Sequence, residues 1–165
     1  MKKRHYSWEQ LEGAVLELAR QINASNWTPD YIVGINRGGV VPANMLSQYL
    51  GIEMHVIHVS LRDHVHTESN CWLANDAFES ENILIVDDIN DTGETFNWIK
   101  KDWQSNCIPT DSRWLNDVWH ENVKFATIFN NLGSAAEVDF AVEEIDKRDE
   151  DVWIVFPWED FWKKQ

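Results

Sequence analysis

Residues 83–95 read ILIVDDINDTGET, and the reading of this stretch decides the fold. Four apolar residues, Ile83, Leu84, Ile85 and Val86, run without a polar interruption. That is the pattern of a strand buried on both faces of a parallel sheet. The run stops at Asp87-Asp88, passes through Asp91-Thr92-Gly93-Glu94-Thr95, and gives way to an amphipathic segment carrying Phe96, Trp98 and Ile99. A strand, an acidic turn with small hydroxyl residues and Gly, then a helix start together make an anion cradle. The free N–H groups of a helix N-terminus, with Thr hydroxyls beside them, hold phosphate. Three carboxylates would repel the same phosphate, so they need other work: holding Mg²⁺, binding sugar hydroxyls or moving a proton. Phosphate, polyol and metal in one loop describe a phosphorylated sugar. The plainer alternative is a buried strand that ends in a solvated acidic turn.

The bulk properties narrow the setting. The chain has 165 residues, enough for a single domain spanning 1–165 with its own core, and 44% of them are apolar. A formal charge of −14 disfavours nucleic acid and anionic membrane as partners. Any phosphate site must therefore be built locally from backbone amides and a few placed cations. Cys71 and Cys107 have no metal-ligand spacing and form no disulfide framework, so they read as ordinary thiols of a reducing cytoplasm. Neither a signal peptide nor a membrane-spanning run is apparent, and a cytoplasmic location is expected.

Working outward from residues 83–95, strand and helix signals alternate. Ser7 and Gln10 form a capping box ahead of a helix with Leu11, Val15, Leu18 and Ile22 on one face. Residues 31–35 read as a first buried strand, Asn36-Arg37-Gly38-Gly39 as a tight turn, and residues 40–50 as a helix closed by Gly51. Arg37 follows a buried strand and precedes two glycines that let backbone approach a ligand closely, which sets it apart from a solvated surface charge. Residues 54–59 read as a strand, and 60–81 as a long polar stretch with few helix or strand signals. His64 and His66 within it lack a third ligand and read as exposed loop histidines. Residues 94–103 read as a helix, 123–129 as a strand ending at Asn130-Asn131, and 138–142 as another strand. Residues 143–151 are an acidic run, read as a solvated turn, and 152–159 (VWIVFPWE) are apolar and aromatic. Residues 105–122 read as an insertion whose aromatics serve either the core edge or a subunit contact. The alternation implies a parallel α/β sheet with its site at the strand C-termini.

The stretch at 83–95 resembles the phosphoribosyl pyrophosphate (PRPP) signature of type I phosphoribosyltransferases: an apolar strand, two acids, two variable residues, then Asp-Thr-Gly-x-Thr. Residues 152–159 resemble the C-terminal segment of bacterial xanthine-guanine and related purine members. The resemblance implies a three-layer fold with a mainly parallel sheet flanked by helices, plus a small hood, here a mobile loop at about 60–81. It implies transfer of 5-phosphoribosyl from PRPP to a purine-like base with release of pyrophosphate, in nucleotide salvage. It further implies Mg²⁺ brought in with PRPP, and a homodimer or homotetramer.

Residue by residue, the family's pattern assigns the 5′-phosphate to Asp91, Thr92, Gly93, Glu94 and Thr95, and ribose hydroxyls and metal to Asp87 and Asp88. Asp91 would hydrogen-bond or deprotonate the base. Pyrophosphate falls to Arg37, Gly38, Gly39 and a lid-borne Arg62, with a non-proline cis peptide expected at Asn36-Arg37. Trp153 would stack on the base and Ile154 read its edge, while Glu159 aligns loosely with a second metal position. Two departures stand out. Asn90 replaces a residue that is often apolar. Asn131 stands where purine members usually carry a Lys that donates to the oxygen at purine position six, which predicts weakened binding of xanthine and guanine. Two other readings stay open: a non-catalytic PRPP or nucleotide sensor on the same fold, and a salvage enzyme for a non-purine base.

Overall fold

A computed structural model describes residues 1–59, 61, 70–109 and 111–163. Five strands form one all-parallel sheet in the order β3-β2-β4-β5-β6. They are β2 (Tyr31–Asn36), β3 (Met54–His58), β4 (Ile83–Asn90), β5 (Val123–Asn131) and β6 (Phe140–Ile145). Every residue from Ile83 to Val86 is buried, because β4 lies at the centre of the sheet with layers on both faces. Strand β1 (Lys2–His5) and strand β7 (Val152–Val155) pair in parallel as a separate two-stranded ribbon, with Trp153 opposite Lys3.

One face of the sheet is covered by α1 (Trp8–Ala24) and α2 (Val40–Leu50). The capping box forms as the sequence implies: the Gln10 N–H donates to Ser7 Oγ at 3.0 Å, and the Ser7 N–H to Gln10 Oε1 at 2.9 Å. From there α1 buries Leu11, Val15, Leu18 and Ile22 against Ile128 and Phe129 of β5. Gly51 ends α2 at φ 67°, a left-handed conformation for which Gly carries no Cβ cost. On the other face lie α3 (Cys71–Phe78), α4 (Glu94–Asp102), which continues into a π-helical turn at Trp103–Cys107, and α5 (Arg113–Asn116).

Two readings of the sequence change here. The C-terminal part of 60–81 is not a loop. Leu73, Ala74 and Ala77 of α3 are buried in the second core, a run too short for its period to stand out. Cys71 and Cys107 are not free thiols but a disulfide, with Cα atoms 5.0 Å apart. Their 36-residue separation carries no spacing signal, and only the packing of α3 against the π-helical turn brings them together. Within 105–122, Trp114 and Val118 are buried at the core edge, and the Trp114 ring lies 4.4 Å from that of Phe78, centroid to centroid. Among the described residues, no helix is long and apolar enough to cross a membrane.

Candidate active site

Strand β4 ends at the sheet's carboxyl edge, and the cavity opens there. It measures about 280 Å³ and is lined by residues 87–96 together with Lys147, Trp153, Ile154, Phe156 and Glu159. The cavity thus joins a turn that is continuous in the sequence to a wall built from the chain's C-terminal third.

The turn is held from outside. Gly93 has φ 91°, and a Cβ there would meet Ala136 N at 2.6 Å and Ser134 Oγ at 2.7 Å. Only Gly fits between the turn and the loop after β5, and it starts α4 with the first backbone N–H groups lining the cavity. The Ala135 N–H donates to the Thr92 carbonyl at 2.9 Å and the Glu94 N–H to Thr92 Oγ1 at 3.3 Å. Asn90 explains itself in this setting. It is buried, its Nδ2 donates to Asn130 Oδ1 and the Ala136 carbonyl, and its Oδ1 accepts from Ser134 Oγ. An apolar side chain there would forfeit all three bonds, leaving the Ser134 hydroxyl and the Ala136 carbonyl only each other at 3.3 Å.

Asp87 and Asp88 sit at the back of the cavity. The Asp88 N–H donates to Asp87 Oδ1 at 2.9 Å, and the Ile89 N–H to Asp88 Oδ1 at 2.8 Å. Burial pushes the Asp87 carboxyl well above the usual carboxylate range, and the Asp88 charge adds to this. Burial pushes Asp88 up to about 6 against the pull of its hydrogen bonds, with the Glu159 charge adding to the rise. Two adjacent carboxylates that resist ionising together fit an oxygen-seeking divalent cation. No group of three or more metal-ligating side chains occurs among the described residues, so such a cation would draw most of its shell from substrate and water.

The loop after β2 packs directly on this acid pair. The Asn36-Arg37 peptide is cis, as the resemblance implies. A Cβ on Gly38 would strike the Asp88 carboxylate, and one on Gly39 would strike the Val86 carbonyl and approach Asp87 Cα to 3.0 Å. Arg37 is exposed beside them. Arg62, His64 and His66 lie outside the described residues.

On the opposite wall, Trp153 is half-buried and Ile154 buried, both facing the cavity from β7. Glu159 lines the cavity, but its Oε2 accepts the Phe156 N–H at 2.8 Å, so it braces its own turn. Asn131 is 9% exposed and does not line the cavity. Its Nδ2 donates to the Asp91 carbonyl at 2.9 Å, and its Oδ1 accepts the Lys147 N–H at 3.1 Å. Its amide thus ties the Asp91 turn to the loop that carries Lys147.

Lys147, inside the acidic run read as a solvated turn, is the residue that sequence reasoning missed. Its Nζ donates to Asp91 Oδ2 at 2.8 Å and lies 5.9 Å from the centroid of the Trp153 ring. Strand β6 extends to Ile145, opposite Asn131, which carries the run to the cavity. A Lys-Arg pair amid Asp and Glu was the only available signal.

A parallel sheet whose central strand feeds a glycine-containing turn, beside an acid pair and an aromatic side chain, defines an α/β protein with its cavity at the sheet's carboxyl edge. The chain belongs to the family described as the phosphoribosyl transferase domain, which matches residues 5–162. It is 30% identical over 158 residues to a xanthine-guanine phosphoribosyltransferase of Idiomarina loihiensis, covering 93% of this chain and 84% of that one. A purine phosphoribosyltransferase from Pyrococcus horikoshii superposes with a TM-score of 0.68 at 27% identity, covering 100% of this chain and 99% of that one. A xanthine-guanine-hypoxanthine phosphoribosyltransferase of Helicobacter pylori shares the fold, with a TM-score of 0.65 at 22% identity over 97% of this chain and 95% of that one.

Proposed function

We propose that the chain transfers the 5-phosphoribosyl group of PRPP to a purine base and releases pyrophosphate, as a nucleotide-salvage enzyme of the cytoplasm. The observation that carries this reading is that one cavity holds the turn at 91–95, the Asp87–Asp88 pair and the Trp153 face. A transferase needs all three in one place.

The backbone amides of Thr92, Gly93, Glu94 and Thr95, with the Thr95 hydroxyl, grip the 5′-phosphate. The helix start makes that end of α4 electropositive without any cationic side chain. Asp87 and Asp88 bind the ribose hydroxyls and would hold Mg²⁺, whose contribution there would be charge neutralisation of the diphosphate leaving group. Glu159 is a weaker metal candidate, since one oxygen is already engaged by Phe156. Arg37, Gly38 and Gly39 receive pyrophosphate beside the acid pair. As the bond to pyrophosphate lengthens, positive charge grows on the anomeric carbon. The carboxylates flanking it stabilise that charge. Trp153 stacks on the base, the Ile154 backbone meets its edge, and Asp91 accepts the proton of the attacking nitrogen.

The functional unit is a homodimer or homotetramer, for which exposed Phe161 and Trp162 near the C-terminus supply apolar surface. Incubating the protein with Mg²⁺, PRPP and a panel of purines and pyrimidines tests the activity. Pyrophosphate release with purines alone is the expected result; PRPP uptake without release under any base would leave the sensor.

A further inference from the structure

We propose that Lys147 is the specificity-determining residue of the base pocket, selecting bases with an exocyclic carbonyl oxygen over those with an amino group. This deepens the phosphoribosyl-transfer reading and rests on it. Four observations converge on the residue. Lys147 is the only basic side chain lining the cavity among the described residues, against Asp87, Asp88, Asp91, Glu94 and Glu159. It is no solvated surface charge, because its side chain is only 21% exposed. Its Nζ lies over the aromatic plate, 5.9 Å from the Trp153 ring centroid, so a bicyclic base that takes up this ring comes within reach of Nζ. Its backbone is fixed by the Asn131 amide, which also fixes the Asp91 carbonyl.

The chemistry follows from the donor inventory. An ammonium has three N–H donors and no acceptor. One donor is engaged by Asp91 Oδ2, leaving two for a ligand. A carbonyl oxygen on the base accepts such a donor, and the charge strengthens the bond. An exocyclic amino group in the same place offers only hydrogens, leaving a desolvated ammonium facing a donor. Hypoxanthine- and guanine-like bases are therefore favoured and adenine is rejected. The weakened oxopurine binding predicted for Asn131 assumed that the pocket lacks a cation. Strand β6 and the loop after it bring one from a different part of the chain.

The experiment compares binding of IMP and AMP by calorimetry to the wild-type protein, to Lys147→Met, which keeps an apolar stem, and to Lys147→Arg. This readout does not require turnover, so it stands apart from the pyrophosphate-release assay that tests transfer itself. Expected are a wild-type preference for IMP, a loss of about 10- to 100-fold in IMP affinity in Lys147→Met with AMP little changed, and partial recovery in Lys147→Arg. PRPP affinity should stay within a few-fold throughout. Equal wild-type binding of IMP and AMP would overturn the proposal without any variant, as would an undiminished preference in Lys147→Met.

Discussion

The two walls of the cavity are built in opposite ways. One wall is a single uninterrupted run, residues 87–95, continuous in the chain and braced from outside at Asn90, Asp91 and Gly93. The opposite wall is gathered from Lys147 after β6 and Trp153 in β7, with Asn131 behind it, positioned by register and by hydrogen bonds between loops. A contiguous site depends on local backbone geometry. A gathered one depends on the global packing, and it fails piecemeal when that packing is disturbed.

The largest effect should come from the residue that touches both walls. Asp91 belongs to the turn, yet its carboxylate pairs with Lys147 and its carbonyl with Asn131. Asp91→Asn should cut kcat by about 10²- to 10⁴-fold, the usual worth of a positioned general base. PRPP affinity should change only a few-fold, since the phosphate is held by backbone amides. A parallel collapse of PRPP binding would show that the two walls do not work separately.

The disulfide belongs to the gathered class, because Cys71 and Cys107 meet only through the packing of α3 on the π-helical turn. It lies away from the cavity-lining residues. Cys71→Ser should lower stability by about 2–4 kcal/mol through the freed unfolded chain. Activity at moderate temperature should persist. A dithiothreitol titration of the wild type, read by denaturant unfolding, should reproduce the loss, and Cys71→Ser itself should not respond to it.

The same division explains how much could be read from residues alone. The apolar run at Ile83–Val86, the acids after it and the Gly at position 93 each have a local cause, and the structure puts them where their order implies. The helix over Trp8–Ala24 was legible for the same reason, through Ser7, Gln10 and its apolar period. Lys147 was not, because an acidic run predicts solvent, and nothing local says that β6 continues to Ile145 beneath it. Nor was β1, whose Lys2, Lys3 and Arg4 become a strand only by pairing with β7. Asn131 was placed at the right strand end, but its role depends on which loop faces it.

Asn131→Ala separates a clamp from a reader of the base. As a clamp it loses bonds to the Asp91 carbonyl and the Lys147 N–H, which should cost about 1–3 kcal/mol of stability. The KM for the base should rise with little change in that for PRPP. A raised base KM at unchanged thermal stability would instead make Asn131 a direct contact.

The smallest expected effect concerns the contiguous wall alone. The Asp88 carboxyl is pushed by burial from its ordinary 3.8 up to about 6, and Asp87 is raised with it. A carboxyl whose folded pKa lies above its unfolded one contributes its full share of stability below the unfolded value and loses it as pH rises through the folded value. The ligand-free protein should therefore lose stability from Asp88 between about pH 4 and pH 6, with Asp87 acting in the same direction. Because both groups face a water-accessible cavity, the loss should be about 1–2 kcal/mol rather than the full value of the shift. Asp88→Asn should flatten that slope when unfolding is followed across the window. Mg²⁺ with pyrophosphate should offset the loss, and more so at pH 7 than at pH 5, because the cation binds the ionised pair. A slope that survives in Asp88→Asn would place its origin among the other carboxylates of this acidic chain.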